Sequence, residues 1–148
     1  MREKLSQALK ESLKAKEALK VSTLRLILAA AKDREIALRG EDKMLTDEDI
    51  LQIMQKMIRQ RQESAATYET AGRTDLSTQE REEISIIETF LPVQMSDEEI
   101  QAACKKTVSE VENPSLKDMG KIMNVLKDRY AGQMDFKKAS AEVKSLLQ

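Results

Sequence analysis

Apolar residues recur at three- and four-residue steps through most of the chain, the spacing that puts side chains on one face of an α-helix. Leu5, Ala8, Leu9 and Leu13 mark a first amphipathic helix over residues 2–19. Ser22 is placed to cap a second, Thr23 to Arg39, with Leu24, Ile27, Leu28, Ala31 and Leu38 on its inner face and Gly40 as its stop. The first two helices are expected to pack antiparallel. Thr46 with Asp49 forms a capping box for a third helix ending at Ala71, whose stripe is Ile50, Ile53, Met54, Met57 and Ile58. Farther along, the same face carries Arg61, Ser64, Ala65 and Tyr68. Polar groups on an inward face must find partners, since burying them unpaired costs several kcal/mol by rough estimate. Arg61 is expected to meet a carboxylate of the next helix, or else to present a site.

Gly72 ends the third helix, and Ser77 with Glu80 reads as the capping box of a fourth, with Ile84, Ile87 and Leu91 inward. Pro92 forbids continuation. Phe90, Leu91, Val93 and Met95 around it predict a packed joint rather than a solvated linker. Ser96 with Glu99 caps a fifth helix, Ile100 to Val111; Asn113-Pro114-Ser115 opens a sixth with Leu116, Met119, Met123, Leu126 and Tyr130 inward; Gly132 ends it; Asp135 caps a seventh, Phe136 to Leu147. Gly120 within helix six costs about 1 kcal/mol against alanine, which predicts a close helix approach there. The pattern predicts an all-α fold of about seven helices, a four-helix domain over residues 1–93 and a three-helix domain over 94–148.

Composition supports helices, with 41% apolar residues, 34% charged and only 3% aromatic, so the cores must be aliphatic and methionine-rich. Formal net charge is −1, with 16 basic and 17 acidic residues up to Met95 and 9 of each beyond it. Neither half is a polycation, which argues against strong non-specific nucleic-acid binding while leaving room for a local basic face. Residues 2–25 hold seven basic and three acidic side chains, most simply a solvated face. The charged N-terminus and the lack of any run near the roughly 18 apolar residues of a bilayer span predict a cytoplasmic protein without a membrane segment. The acids at Asp47-Glu48-Asp49 and Asp97-Glu98-Glu99 suit helix starts, and no metal site is expected from them. Cys104, the single cysteine, sits among Ile100, Ala103 and Val108 as a small buried residue.

With no histidine, imidazole chemistry is absent, and the four separated glycines build neither a Walker nor a dinucleotide loop. No cofactor and no catalytic residue are predicted.

Gln60, Arg61, Ser64, Tyr68, Ala71, Gly72, Arg73, Asp75, Leu76, Leu91 and Pro92 resemble the Gln-Arg-x-x-Ser, Tyr, Ala-Gly-Arg-x-Asp-Leu and Leu-Pro pattern of the YqeY family of small bacterial proteins. The likeness extends through Thr23-Leu24-Arg25-Leu26-Ile27 and Met119-Gly120-Lys121-Ile122-Met123. The resemblance implies a C-terminal part similar to the tail domain of the B subunit of tRNA-dependent amidotransferases, with Gly120, Lys121, Met123, Gly132 and Asp135 matching and Gln133 replacing a cation. The leading expectation is therefore a non-catalytic module related to that tail, binding tRNA, or an aminoacylation or amidotransferase complex, through a basic face around Lys117, Lys121, Lys127 and Arg129. A carbon–nitrogen ligase activity with glutamine as amide donor would belong to the larger relatives. The alternative is a protein–protein adaptor using Met54 and Met57 or Met119 and Met123.

Overall fold

The computed structural model describes all 148 residues, and its regular structure is entirely helical. Seven α-helices follow in order: α1 Arg2–Lys14, α2 Ala18–Arg39, α3 Asp47–Thr70, α4 Thr74–Glu88, α5 Asp97–Ser109, α6 Met119–Arg129 and α7 Phe136–Leu147, with a 3-10 turn at Leu116–Asp118 leading into α6. The all-α expectation is met. Contacts divide the chain into two compact units, Met1–Leu91 and Pro92–Gln148.

In the first unit α2 touches α1, α3 and α4, and the core gathers Leu5, Leu24, Ile27, Ala31, Ile50, Met54, Met57, Ile58, Ile84, Ile87 and Phe90. The first helix stops at Lys14 instead of Leu19, because Lys16 turns left-handed at φ 59° and Glu17 N–H reaches back to the Ser12 carbonyl at 3.0 Å. This is the six-to-one bond of a Schellman ending, made here without glycine. Ser22 therefore lies inside α2, its hydroxyl donating to the Leu19 carbonyl at 3.0 Å, and does not cap it. Leu13 is correspondingly outward, 47% exposed, while Ser12 is buried with its hydroxyl on the Ala8 carbonyl.

Ser77 is likewise no cap. The turn after α3 is so short that α4 begins at Thr74, which leaves Ser77 buried one turn inside the helix. The capping boxes Thr46–Asp49 and Ser96–Glu99 both form, each side chain taking a backbone N–H the helix start leaves unpaired.

Around Pro92, Phe90 and Leu91 belong to the first core and Met95 packs on the second, but Val93 stands 91% exposed, contrary to its expected place in a packed joint.

The second unit closes on Ile100, Ala103, Cys104, Val108, Ile122, Leu126, Met134, Ala139 and Val143. Its entering segment is tied to the α6–α7 turn, Gln94 Nε2 donating to the Gly132 carbonyl at 2.6 Å and Met95 N–H to the Gln133 carbonyl at 2.9 Å. Asp135 caps α7 by accepting from the backbone N–H of Lys137 and Lys138. Burial pushes the Cys104 thiol up to about 11, so it stays protonated and inert near neutral pH. On α6 the expected inward residues hold except Leu116, which is 52% exposed: Leu126 is fully buried, Met119, Met123 and Tyr130 pack against the core, and Ile122 joins them fully buried. Leu116 lies on the 3-10 turn that precedes α6, outside the α-helix itself.

Candidate functional site

The polar residues on α3 meet their partners on α4. Arg61 Nε donates to Glu83 Oε2 at 3.0 Å and its Nη1 to the Met57 carbonyl at 3.3 Å, both side chains of the ion pair being only 12% exposed. Gln79 reaches the other Glu83 oxygen at 3.5 Å. Burial and the neighbouring Glu83 charge push the Glu80 carboxyl above its ordinary value. Nearer the tip, Glu69 accepts from Ser77 Oγ at 2.8 Å and from Arg81 Nε at 2.9 Å, and these bonds, Arg81 foremost, hold its carboxyl low. At the turn, Arg73 and Asp75 pair at 3.2 Å, which lowers the aspartate. Gly72, at φ 75°, is the left-handed ending of α3, with Arg73 N–H on the Tyr68 carbonyl at 2.8 Å. Ser64 and Tyr68 are half-buried and line a shallow groove of about 440 Å³ with Gln60, Glu63 and Thr67. Arg61 with Glu83, and Glu69 with Ser77 and Arg81, thus clasp the α3–α4 hairpin, while Gly72, Arg73 and Asp75 shape its turn. Spacing alone could pair Arg61 with any of several acids on α4; only the helix crossing selects Glu83.

In the second unit, Lys117, Gly120, Lys121, Asn124 and Lys127 are all exposed and recur at three- and four-residue steps, so they share the outward face of α6 and its leading turn. None of the three lysines is held in an ion pair. Asp128 lies on the same face and trims its charge. Arg129 is set apart, bound to Glu110 by contacts of 2.9 and 3.2 Å that hold the glutamate low. A Cβ added at Gly120 would meet nothing within 4 Å, so the close helix approach expected there does not occur. Asn124, at the centre of the face, had no signal in the sequence beyond its helical offset from Lys121.

The two glycines make a paired prediction. A methyl group placed on either would find open space, yet only Gly72 needs positive φ. Gly72→Ala should cost about 1 kcal/mol and Gly120→Ala should gain about 0.5–1 kcal/mol, read by thermal unfolding.

Of the methionines expected for an adaptor surface, two are buried and two are partly buried. Met54 is fully buried and Met57 nearly so, while Met119 and Met123 pack on the second core. Flexible thioethers here fill aliphatic cores. No helix is long and apolar enough to cross a membrane, and no group of three or more acidic, cysteine or histidine side chains is placed to hold a metal ion.

Comparison with known proteins gives relatives along the whole length. The chain is 32% identical over 143 residues to altered inheritance of mitochondria protein 41, mitochondrial, of Lachancea thermotolerans, spanning 93% of this chain and 70% of that protein. The protein of the same name in Kluyveromyces lactis is 32% identical over 146 residues, spanning 95% and 72%. That of Saccharomyces cerevisiae strain YJM789 is 29% identical over 140 residues, spanning 93% and 71%. These relatives overturn the expectation of a bacterial, cytoplasmic protein, for they are mitochondrial proteins of yeasts. The physical reason is plain: the apolar-run argument bears on secretion and membrane insertion, and aqueous compartments inside and outside a mitochondrion ask the same of a helical domain. The family profile described as YqeY, Yqey-like protein, matches residues 2–147, and the chain belongs to that family.

Proposed function

We propose that the protein is a non-catalytic helical module that binds tRNA, alone or on an enzyme, through the outward face of α6. The observation carrying this reading is the exposed trio Lys117, Lys121 and Lys127 around a glycine that serves no internal packing. Lysines held in no ion pair are available to phosphate, and Gly120 lets a nucleic-acid backbone approach the helix closely. Arg129, tied to Glu110, would contribute only after that pair opens. The formal charge of −1 adds no long-range attraction, so affinity is modest and rests on this face.

The test is fluorescence-polarisation binding to total tRNA across a salt series. Three phosphate contacts give a loss of roughly twenty- to fortyfold between about 50 and 200 mM salt. Lys121→Glu should weaken binding while leaving the helical circular-dichroism spectrum and melting unchanged, and Asp128→Asn should strengthen it. Unaltered binding in Lys121→Glu would remove this face from the reading.

A further inference from the structure

The α6 face has phosphate-seeking cations but no surface on which a base could stack. The chain has two tyrosines and two phenylalanines. In the second unit Tyr130 and Phe136 pack against the core. In the first unit Phe90 is buried, with the Lys4 ammonium 6.0 Å from its ring centroid, and Tyr68 is half-buried on α3. The one guanidinium of the second unit, Arg129, is held by Glu110. Recognition of single strands depends on aromatic or guanidinium planes on which the bases stack. Nothing on this face supplies one.

What the face does offer is a bare helical surface at Gly120, lysines extending from Lys117 to Lys127, and one neutral side chain, Asn124, between Lys121 and Lys127. At about 1.5 Å rise per residue the lysines span roughly 15 Å, long enough to reach several phosphates. The Asn124 amide makes no hydrogen bond within the chain and carries both donors and an acceptor. A ribose 2′-hydroxyl is likewise donor and acceptor, and the wide, shallow minor groove of A-form RNA displays a row of them beside the phosphates.

We infer that the α6 face takes the sugar–phosphate backbone of double-helical RNA, with Lys117, Lys121 and Lys127 on phosphates and Asn124 on a ribose 2′-hydroxyl. This rests on the RNA-binding reading above and narrows it to stems, recognised by shape and sugar instead of by base sequence. Asn124 is then the residue that tells RNA from DNA.

The test compares three labelled probes of equal phosphate count: an RNA hairpin stem, single-stranded oligouridine and a DNA duplex of the stem's sequence. The stem should bind tightest. Asn124→Ala, an exposed change to a better helix former, should weaken stem binding about three- to tenfold, the worth of one hydrogen bond, and leave DNA binding unchanged. Oligouridine binding as tightly as the stem would overturn the inference while leaving the broader RNA reading standing. So would an Asn124→Ala loss shared equally by RNA and DNA, or no loss at all. Failure of all three probes to bind at low salt would overturn the RNA reading itself.

Discussion

Replacing Arg61 with methionine should destabilise the protein by about 2–3 kcal/mol, although a guanidinium on an inward helix face could as well have marked a binding site. Its guanidinium and the Glu83 carboxylate are each only 12% exposed and 3.0 Å apart. Removing the cation strands a nearly buried carboxylate, and an uncompensated buried charge costs several kcal/mol. The Gln79 amide, at 3.5 Å, remains as a weak partner, which keeps the expected loss at the lower end of that range. The double variant Arg61→Met with Glu83→Leu should recover at least half of the loss, because an apolar pair of similar volume owes no desolvation. Urea unfolding of wild type, both single variants and the double variant closes the cycle. A single variant within about 0.5 kcal/mol of wild type would show that the pair does not hold the hairpin, and the site reading of Arg61 would then regain its force.

Leu126→Ala and Leu116→Ala should differ by about 3 kcal/mol although helical spacing makes both inward. Leu126 is fully buried among Ile122, Cys104 and Val143, whereas Leu116 is 52% exposed on the 3-10 turn. Truncating a buried leucine loses its transfer energy and leaves a cavity, about 3 kcal/mol in all, and in a unit this small that is a large share of the stability. Truncating Leu116 should change stability by less than about 0.5 kcal/mol. Hydrogen exchange of the α5–α7 amides separates the two: a speeding of roughly a hundredfold in Leu126→Ala and little change in Leu116→Ala. Equal effects would mean that Leu116 is covered in solution.

The hairpin clasp shows how far the α3–α4 motif could be read. That Arg61 needed an acid on the following helix was legible, because a guanidinium on an inward face cannot stay unpaired. That the acid is Glu83, and that Ser77 is spent on Glu69 rather than on capping, depends on where α4 starts, which follows from the short turn over residues 71–73. The α6 face was half legible. Lys117, Lys121 and Lys127 follow from spacing, but Arg129 is withdrawn by Glu110, nineteen positions earlier, and no local pattern reveals that pairing.

By itself the sequence determined the helical class, the two capping boxes at Thr46 and Ser96, the left-handed ending at Gly72, and the burial of Cys104. These are settled within a few residues of chain, by backbone N–H groups that need acceptors and by side chains whose period is fixed. Only the tertiary structure decided that α1 breaks at Lys16, a lysine in left-handed backbone among good helix formers, so that Leu5 and Leu24 enter one core. The left-handed turn costs about 1–2 kcal/mol locally and is offset by burial that only the folded-back pair of helices can make, so no reading of local propensity could have placed it.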